Sequence, residues 1–398
     1  MHLENSAART PISATDAERL SVKVLRRPEL ASCSHWDRAF AGQRKDARFY
    51  ELVEDTIHQG FDYRYFAVID ESGHARAVQP FLIVDQDLLA GVPKRVAASV
   101  NLIRRMWPRF MRLRTLMVGC AVGEGHLDDA DGAAQHATAR VLAATILKHA
   151  RDLQTPLVVL KEFPASYRAA LQCFVETGFA RIPSMPMVYR GIDFPNFDAY
   201  VRTLSKKMRW NLRRKFGDAA QAGPIEMSQV GDVTPFIDEV YPFYLQVYER
   251  STLHFEKLTK EFLCGLGQRM PNKVRFFLWR HRGRIVAFIV CLVQDDAIYT
   301  EYIGLDYTVA LQLHLYFVVV RDVMSWAIAN GYKSIHSSGL NYNPKYRLRF
   351  LLNPLDLYVR HTSRAFNFFL GPLLPLLEPT RYDSELKRFP NFRELHGS

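Results

Sequence analysis

Arg275-Phe-Phe-Leu-Trp279, the turn chemistry of His281-Arg-Gly283 and the run from Ile285 to Gln294 read as one β-hairpin, and the rest of the chain can be organised around it. The same order stands earlier. Tyr65-Phe-Ala-Val-Ile69 alternates as a strand does, Asp70-Glu-Ser-Gly73 supplies a turn, and residues 75–89 return. Each hairpin ends in acidic residues and a further apolar stretch. A segment with apolar residues three and four apart follows each, over 134–152 and 312–330, which predicts helices packed on one side. Asn330-Gly331 predicts the end of the second, because Gly tolerates the left-handed backbone that closes helices. Leu157-Val-Val-Leu160 and Lys333-Ser-Ile-His336 then read as strands. Hairpin, strand, helix, strand is the order of a mixed sheet with helices on its faces, since a parallel return needs a crossover. The repetition predicts an α/β (α+β) protein with two such sheets in tandem.

The totals agree. A chain of 398 residues that is 48% apolar exceeds one ordinary core, so two domains are expected. Residues 1–20 are expected to be flexible, 21–195 to form the first domain, 196–365 the second and catalytic one, and 366–398 an apolar tail. The boundary falls at Asp193-Phe-Pro-Asn196, a polar break containing proline. Lys and Arg number 52 against 41 acidic residues, and the resulting +11 favours anionic partners. Five scattered cysteines, Cys33, Cys120, Cys173, Cys264 and Cys291, suggest neither a disulfide framework nor a zinc site, so no metal is expected and a reducing cytoplasm fits. The first sixteen residues lack the apolar core of a secretion signal, and no apolar run reaches the roughly 20 residues of a spanning helix. The tail from Phe366 to Leu377 is strongly apolar but broken by Pro372 and Pro375; it could pack over its own domain or lie on the inner face of a membrane.

Three groups of residues could carry chemistry. In Leu204-Ser-Lys-Lys-Met-Arg-Trp-Asn-Leu-Arg-Arg-Lys215, helical spacing gathers Lys206, Arg209, Arg213 and Arg214 on one side and turns Met208, Leu212 and Phe216 to the core. Such a row suits donor phosphates, or it is a solvated basic face. In Tyr299-Thr-Glu-Tyr-Ile-Gly-Leu305, strict alternation places Glu301 with Ile303 and Tyr302 with Gly304. A carboxylate inside an apolar strand is either a general base with a raised pKa or the partner of an arginine. The third group holds His314 at a helix start, structural or a base, and Ser337, Ser338, Gly339, Asn341, Tyr342 and Lys345 beyond the end of a strand, where α/β sheets place ligands. Residues 91–113 interleave Arg104, Arg105, Arg109 and Arg112 with Met106, Trp107 and Phe110, which fits an anionic surface or a solvated helix. Gly119-Cys-Ala-Val-Gly-Glu-Gly125 is read as a loop and at most a weak phosphate site. Walker, nucleophile-elbow and HExxH motifs are absent, which removes the simplest kinase-like, hydrolase and metalloenzyme readings.

At these residues the chain resembles a family. The helix from Leu204 to Lys215 is similar to one in FemAB-like and related GNAT proteins. Leu313-His-Leu-Tyr316 with Trp326-Ala-Ile-Ala-Asn-Gly331, and the later spacing of Gly339, Lys345 and Phe350, resemble the bacterial peptidoglycan biosynthesis/recognition family within that group. His314, Gly339 and Lys345 match its motif positions. Tyr316 stands where that family has Glu, Asn343 and Pro344 replace a Glu-His pair, and Arg349 replaces a glycine. The GNAT signature for acyl-CoA is also missing from residues 304–314. The resemblance implies tandem GNAT-like domains and an N-acyltransferase moving an acyl group from an acyl-CoA-type thioester to a primary amine. A FemAB-like use of aminoacyl-tRNA and a non-catalytic binding protein are the alternatives. On the leading reading Glu301 removes the proton, Tyr342 or Lys345 supports the leaving group with His314 near the reaction, and Lys206, Arg209, Arg213, Arg214, Ser338, Gly339 and Asn341 contact the donor.

Overall fold

The computed structural model describes residues 20–87, 103–108, 110–128, 132–251 and 255–397. The N-terminal segment before residue 20, Arg109 and most of the basic-aromatic insertion therefore lie outside the described residues. Twelve strands form the sheet: β1 (Ser21–Leu25), β2 (Asp62–Ile69), β3 (Ala75–Asp87), β4 (Arg112–Val118), β5 (Leu157–Pro164), β6 (Ala180–Gly191), β7 (Ile225–Val230), β8 (Val274–His281), β9 (Arg284–Gln294), β10 (Ala297–Leu305), β11 (Ser334–Ser337) and β12 (Leu351–His361). Both expected hairpins form, β2 with β3 from Asp62↔Ile83 to Ile69↔Ala75 and β8 with β9 down to His281↔Arg284. Each repeat returns through a crossover helix, Gly132–Asp152 or Leu315–Ala329, to a parallel pair, β4 with β5 and β10 with β11.

The two expected sheets are one. Strand order runs β1-β2-β3-β4-β5-β12-β6-β11-β10-β9-β8-β7. The last strand of each repeat crosses into the other: β12 lies antiparallel between β5 and β6, and β6 lies antiparallel beside β11. An open strand edge leaves N–H and C=O groups unpaired, and this exchange removes the inner edges of both repeats, leaving β1 and β7 outermost.

Side-chain alternation sorts the second repeat into two cores. Phe276 and Leu278 of β8 face the helices Ala47–Thr56, Ile237–Arg250 and Lys260–Arg269, whereas Phe277 and Trp279 face Phe197–Thr203, Lys206–Ala222 and Leu315–Ala329. The polar break at Asp193-Phe-Pro-Asn196 resolves into helix capping. The Asn196 side chain accepts from the Ala199 N–H, and the Ser205 side chain from the Met208 N–H. The expected stop at Gly331 is a left-handed residue, with φ of 78°.

Arg349 stands where the resemblance implies a glycine. Its φ is 58°, in the left-handed region where an L side chain is strained by about 1 kcal/mol or more. Arg349→Gly is expected to raise the urea midpoint by an amount equivalent to about 1 kcal/mol, with an unchanged slope. Arg349→Ala should not; equal stabilisation by both would show that the side chain, not the backbone, is the cause.

Candidate functional site

The sheet opens at the end of β11. This strand has four residues and pairs with β10 only from Ala297 to Thr300 and with β6 only from Gly191 to Val188. Beyond Ser337, β10 continues to Leu305 beside β9 alone, and β6 continues beside β12 alone. Bulges stand on three strands, β10 and β6 beside the break and β5 two strands beyond β6. Glu301 is the extra residue of β10, Met185 and Pro186 together oppose Pro354, and Lys161 and Glu162 together oppose Leu357, with Glu162 at φ of 56°. Bulges end pairing and re-aim side chains, and proline is admitted in a sheet at such places.

The chain leaving β11 is tied back so that the break stays open. Leu340 and Asn341 are left-handed, at φ of 70° and 48°. The buried Lys345 Nζ donates to the carbonyls of Ser338 (2.6 Å), Gly339 (3.4 Å) and Leu340 (2.9 Å). Tyr342 Oη donates to Pro186 O at 2.8 Å, and an added Cβ at Gly339 would sit 3.0 Å from that hydroxyl and 3.2 Å from the same carbonyl. Close approach leaves little room for a side chain at Gly339, and Tyr342 and Lys345 spend their donors on backbone. Burial pushes the Lys345 ammonium down to about 7. Through these bonds both side chains shape the loop.

The alternation expected around Glu301 is also corrected. Thr300 pairs with Cys291 and Tyr302 with Val290, so the bulge shifts the phase by one residue. Tyr299 and Tyr302 both pack on the first core while Ile303 packs on the second. Glu301 Oε1 accepts from Arg44 Nε at 3.1 Å, and the Arg44 guanidinium lies 3.7 Å over the Tyr299 ring. Of the two readings of Glu301, the geometry is that of a carboxylate held by arginine. Arg44 Nη2 also donates to Glu124, whose other oxygen accepts from Lys45 Nζ at 2.8 Å, and His126 Nε2 lies 2.8 Å from Glu124. Arg44, Lys45 and Glu124 are each at most 3% exposed. Burial works against the Glu124 carboxylate, but Arg44, Lys45 and His126 outweigh it and hold its pKa well below the ordinary range. Burial lowers the pKa of His126.

The glycine-rich loop delivers Glu124 to this network. A Cβ at Gly123 would collide with Lys45 Nζ, and one at Gly125 would lie 2.7 Å from the Lys161 carbonyl. Its own carbonyls at Val122 and Gly123 accept from Lys45 Nζ and Lys161 Nζ. A loop that points carbonyls at ammonium groups is not a phosphate cradle.

A second polar group spans the two repeats beside the first. Lys161 Nζ lies 2.6 Å from Glu162 Oε2, Ser184 Oγ donates to Glu162 Oε1 at 3.1 Å, and Tyr302 Oη donates to Glu256 Oε1 at 2.6 Å. Burial raises the pKa of Glu256, with Lys161 and the Tyr302 hydrogen bond opposing in part. Burial also disfavours the Lys161 ammonium, but Glu162 and Glu256 outweigh it and leave its pKa above the usual lysine value. Lys161, Glu162, Glu256, Arg44 and Lys45 were not among the residues expected from sequence. Only Lys161 and Glu162 leave a local signal, charges inside an apolar strand in Leu157-Val-Val-Leu-Lys-Glu-Phe163; Arg44, Lys45 and Glu256 stand in connecting segments.

The basic helix lies across the sheet from Glu301. It is packed by Met208 and Leu212 into the second core, with Tyr342, while Tyr302 packs on the first and Glu301 reaches the Arg44 that lies over Tyr299 of that core. Lys206, Arg213 and Arg214 are exposed. Arg214 sits 5.2 Å over Trp210, whose ring is 62% exposed, and Arg209 Nη1 donates to Leu204 O at 2.8 Å. His314, at φ of 50°, joins this helix to the start of Leu315–Ala329 through Lys215 and Asp218, each at 3.3 Å. The single cleft expected from sequence is therefore not built on one face. Ser338, Gly339, Asn341, Tyr342 and Lys345 share the loop beyond β11, and the sheet lies between the basic helix and Glu301. In the insertion, Arg104 pairs with Asp87 at 2.7 Å, while Met106 and Trp107 stand out at 93% and 63% exposure.

No curated protein matches the sequence. Among solved structures, L-PGS from Bacillus licheniformis superposes with a TM-score of 0.50 at 12% identity, over 86% of this chain and 99% of that one. The C-terminal domain of a putative lysylphosphatidylglycerol synthetase from Agrobacterium fabrum gives 0.48 at 13% identity, over 83% and 95%. A tandem GNAT protein from the clavulanic acid biosynthesis pathway gives 0.45 at 9% identity, over 86% and 99%. The FemAB-like family model, described as peptidoglycan biosynthesis/recognition, matches residues 125–346, from the loop that carries Glu124 to the lysine that ties down the chain after β11. With more than half of its length matched, and with the motif positions His314, Gly339 and Lys345 inside the match, the chain belongs to the FemAB-like family.

Proposed function

We propose that this protein transfers an acyl group from an anionic, activated donor to a primary amine at the break beside β11. The observation that carries the reading is the open edge of β10 next to Glu256, a half-buried carboxylate with a raised pKa held by the Tyr302 hydroxyl. Main-chain N–H groups of an unpaired strand edge can polarise the donor carbonyl without reorganising. The amine nitrogen forms its bond to that carbonyl carbon, and its proton passes to Glu256, directly or through a water. The bond from carbon to the donor sulfur or ester oxygen then breaks, and the departing atom takes up a proton. We assign that proton to Lys161, kept charged by Glu162 and Glu256. Arg44 and Glu301 position β10 and take no proton.

The donor is an acyl-CoA-type thioester on this reading, passing through the break so that its phosphates lie on Lys206, Arg213 and Arg214 on the other face of the sheet. The exposed Trp210 beside Arg214 favours one second reading, an aminoacyl-tRNA, because a basic helix with an open aromatic ring suits a longer polyanion and a stacked base. Reversing Lys206, Arg213 and Arg214 together to Glu is expected to weaken donor binding by about tenfold or more, with kcat little changed, since all three are exposed. A steep salt dependence of wild-type binding selects the tRNA. Undiminished binding by the reversed protein removes the helix from the donor site, and no transfer from either donor class removes the proposal.

A further inference from the structure

The C-terminal segment divides in two. Residues 379–397 pack over the protein itself: Leu386, Phe389 and Leu395 are buried in the second core, and Arg168 and Arg181 donate to the carbonyls of Glu394, Leu395 and His396. The helix Arg364–Leu377 does not follow them inward. Only Leu374 is buried, while Phe366, Phe368 and Phe369 are 65%, 77% and 67% exposed and Leu373 and Leu376 are 45% and 49% exposed. Positions 366, 369, 373 and 376 fall at the three- and four-residue spacing of a single stripe. Arg364 is the helix's one charged residue. A ridge of this kind on a folded chain marks a contact surface.

We propose that this helix seats the protein on an anionic lipid bilayer, with the phenylalanine ridge in the boundary between headgroups and acyl chains. Two features favour lipid over a second protein. At the start of the helix, Arg360 has Arg364 and Arg151 as like-charged neighbours, and its Nε is buried with no partner among the described residues. Guanidinium groups that crowd each other in this way gain from lipid phosphates. Within the helix, Pro372 and Pro375 have no N–H to give the carbonyls of Phe368 and Gly371. Those carbonyls need water, which the headgroup region supplies and a dry protein contact does not. Among the described residues no helix is long and apolar enough to cross a membrane, so the contact is one of lying on the surface.

The test is sedimentation of the full chain with vesicles of phosphatidylcholine alone and of phosphatidylcholine mixed with phosphatidylglycerol. Binding is expected to the mixed vesicles and to weaken with salt. Replacing Phe366, Phe368 and Phe369 by Ser should reduce it about tenfold or more without lowering the thermal midpoint, because all three rings are exposed. Arg364→Glu should weaken binding to the mixed vesicles while leaving any binding to neutral ones unchanged. Equal binding by wild type and the serine variant, or no binding by wild type, overturns the proposal. So does a wild-type dimer that the serine substitutions dissolve, since the ridge would then be covered by a second copy.

Discussion

Glu256→Gln is expected to lower kcat by about a hundred- to ten-thousand-fold while leaving donor affinity nearly unchanged. Glutamine keeps the shape and can still accept the Tyr302 hydrogen bond, so the variant removes little but the ability to take a proton. The wild-type pH profile supplies an independent reading. Burial raises the Glu256 pKa, so kcat/KM should climb through a pKa above the ordinary glutamate value as the carboxylate forms, and that limb should vanish in the variant. Tyr302→Phe removes a hydrogen bond that favours the charged form and should move the limb to higher pH. Turnover of Glu256→Gln within a few-fold of wild type would return the role of base to another group. Glu301→Gln is the informative contrast, because its partner is Arg44 and its expected effect falls on stability first.

The largest stability effect is expected at Glu124. Its two oxygens take Arg44, Lys45 and His126, all buried, so Glu124→Ala leaves two cations in the interior without their shared counter-charge. Breaking a buried ion pair from one side costs about 3–5 kcal/mol, and the loss should show as a fall in the urea midpoint. Glu124→Gln, which can still accept hydrogen bonds, should lose less. The pH dependence has a fixed sign. A carboxylate whose folded pKa is depressed contributes stability above its unfolded pKa of about 4.3 and loses that contribution as pH falls through the folded value. His126, kept neutral by burial, adds a loss that begins below the unfolded histidine pKa of about 6.5. Wild type should therefore weaken steadily on acidification, and Glu124→Ala should lack the carboxylate part of that slope. A variant as stable as wild type, with the same acid slope, would show that the network contributes nothing net.

Several local features were legible before any coordinates. The two hairpins, the crossover helices, the Gly331 stop and the inward face of Met208 and Leu212 follow from periods of two and 3.6 and from turn chemistry, all of which act over a few neighbouring residues. The unusual Arg349 was visible as a departure from a family glycine, although only its φ says why. The position of Glu301 was visible as a charge within an apolar strand, but its role was not. Period-two reasoning assumes an unbroken ladder, and one inserted residue at Glu301 reverses the phase of everything after it.

What the amino-acid order determined by itself is a pair of similar α/β repeats, a basic amphipathic helix and an apolar proline-broken tail, because each rests on contacts between near neighbours in the chain. Only the tertiary structure decided that the repeats exchange their last strands into one sheet and that the sheet opens beyond β11. It also decided that Arg44 meets Glu124 and Glu301 at separations of 80 and 257 residues, and that Tyr302 meets Glu256. Those pairings depend on strand register and on burial of charge across distant segments, and neither leaves a spacing in the sequence that local periodicity can read.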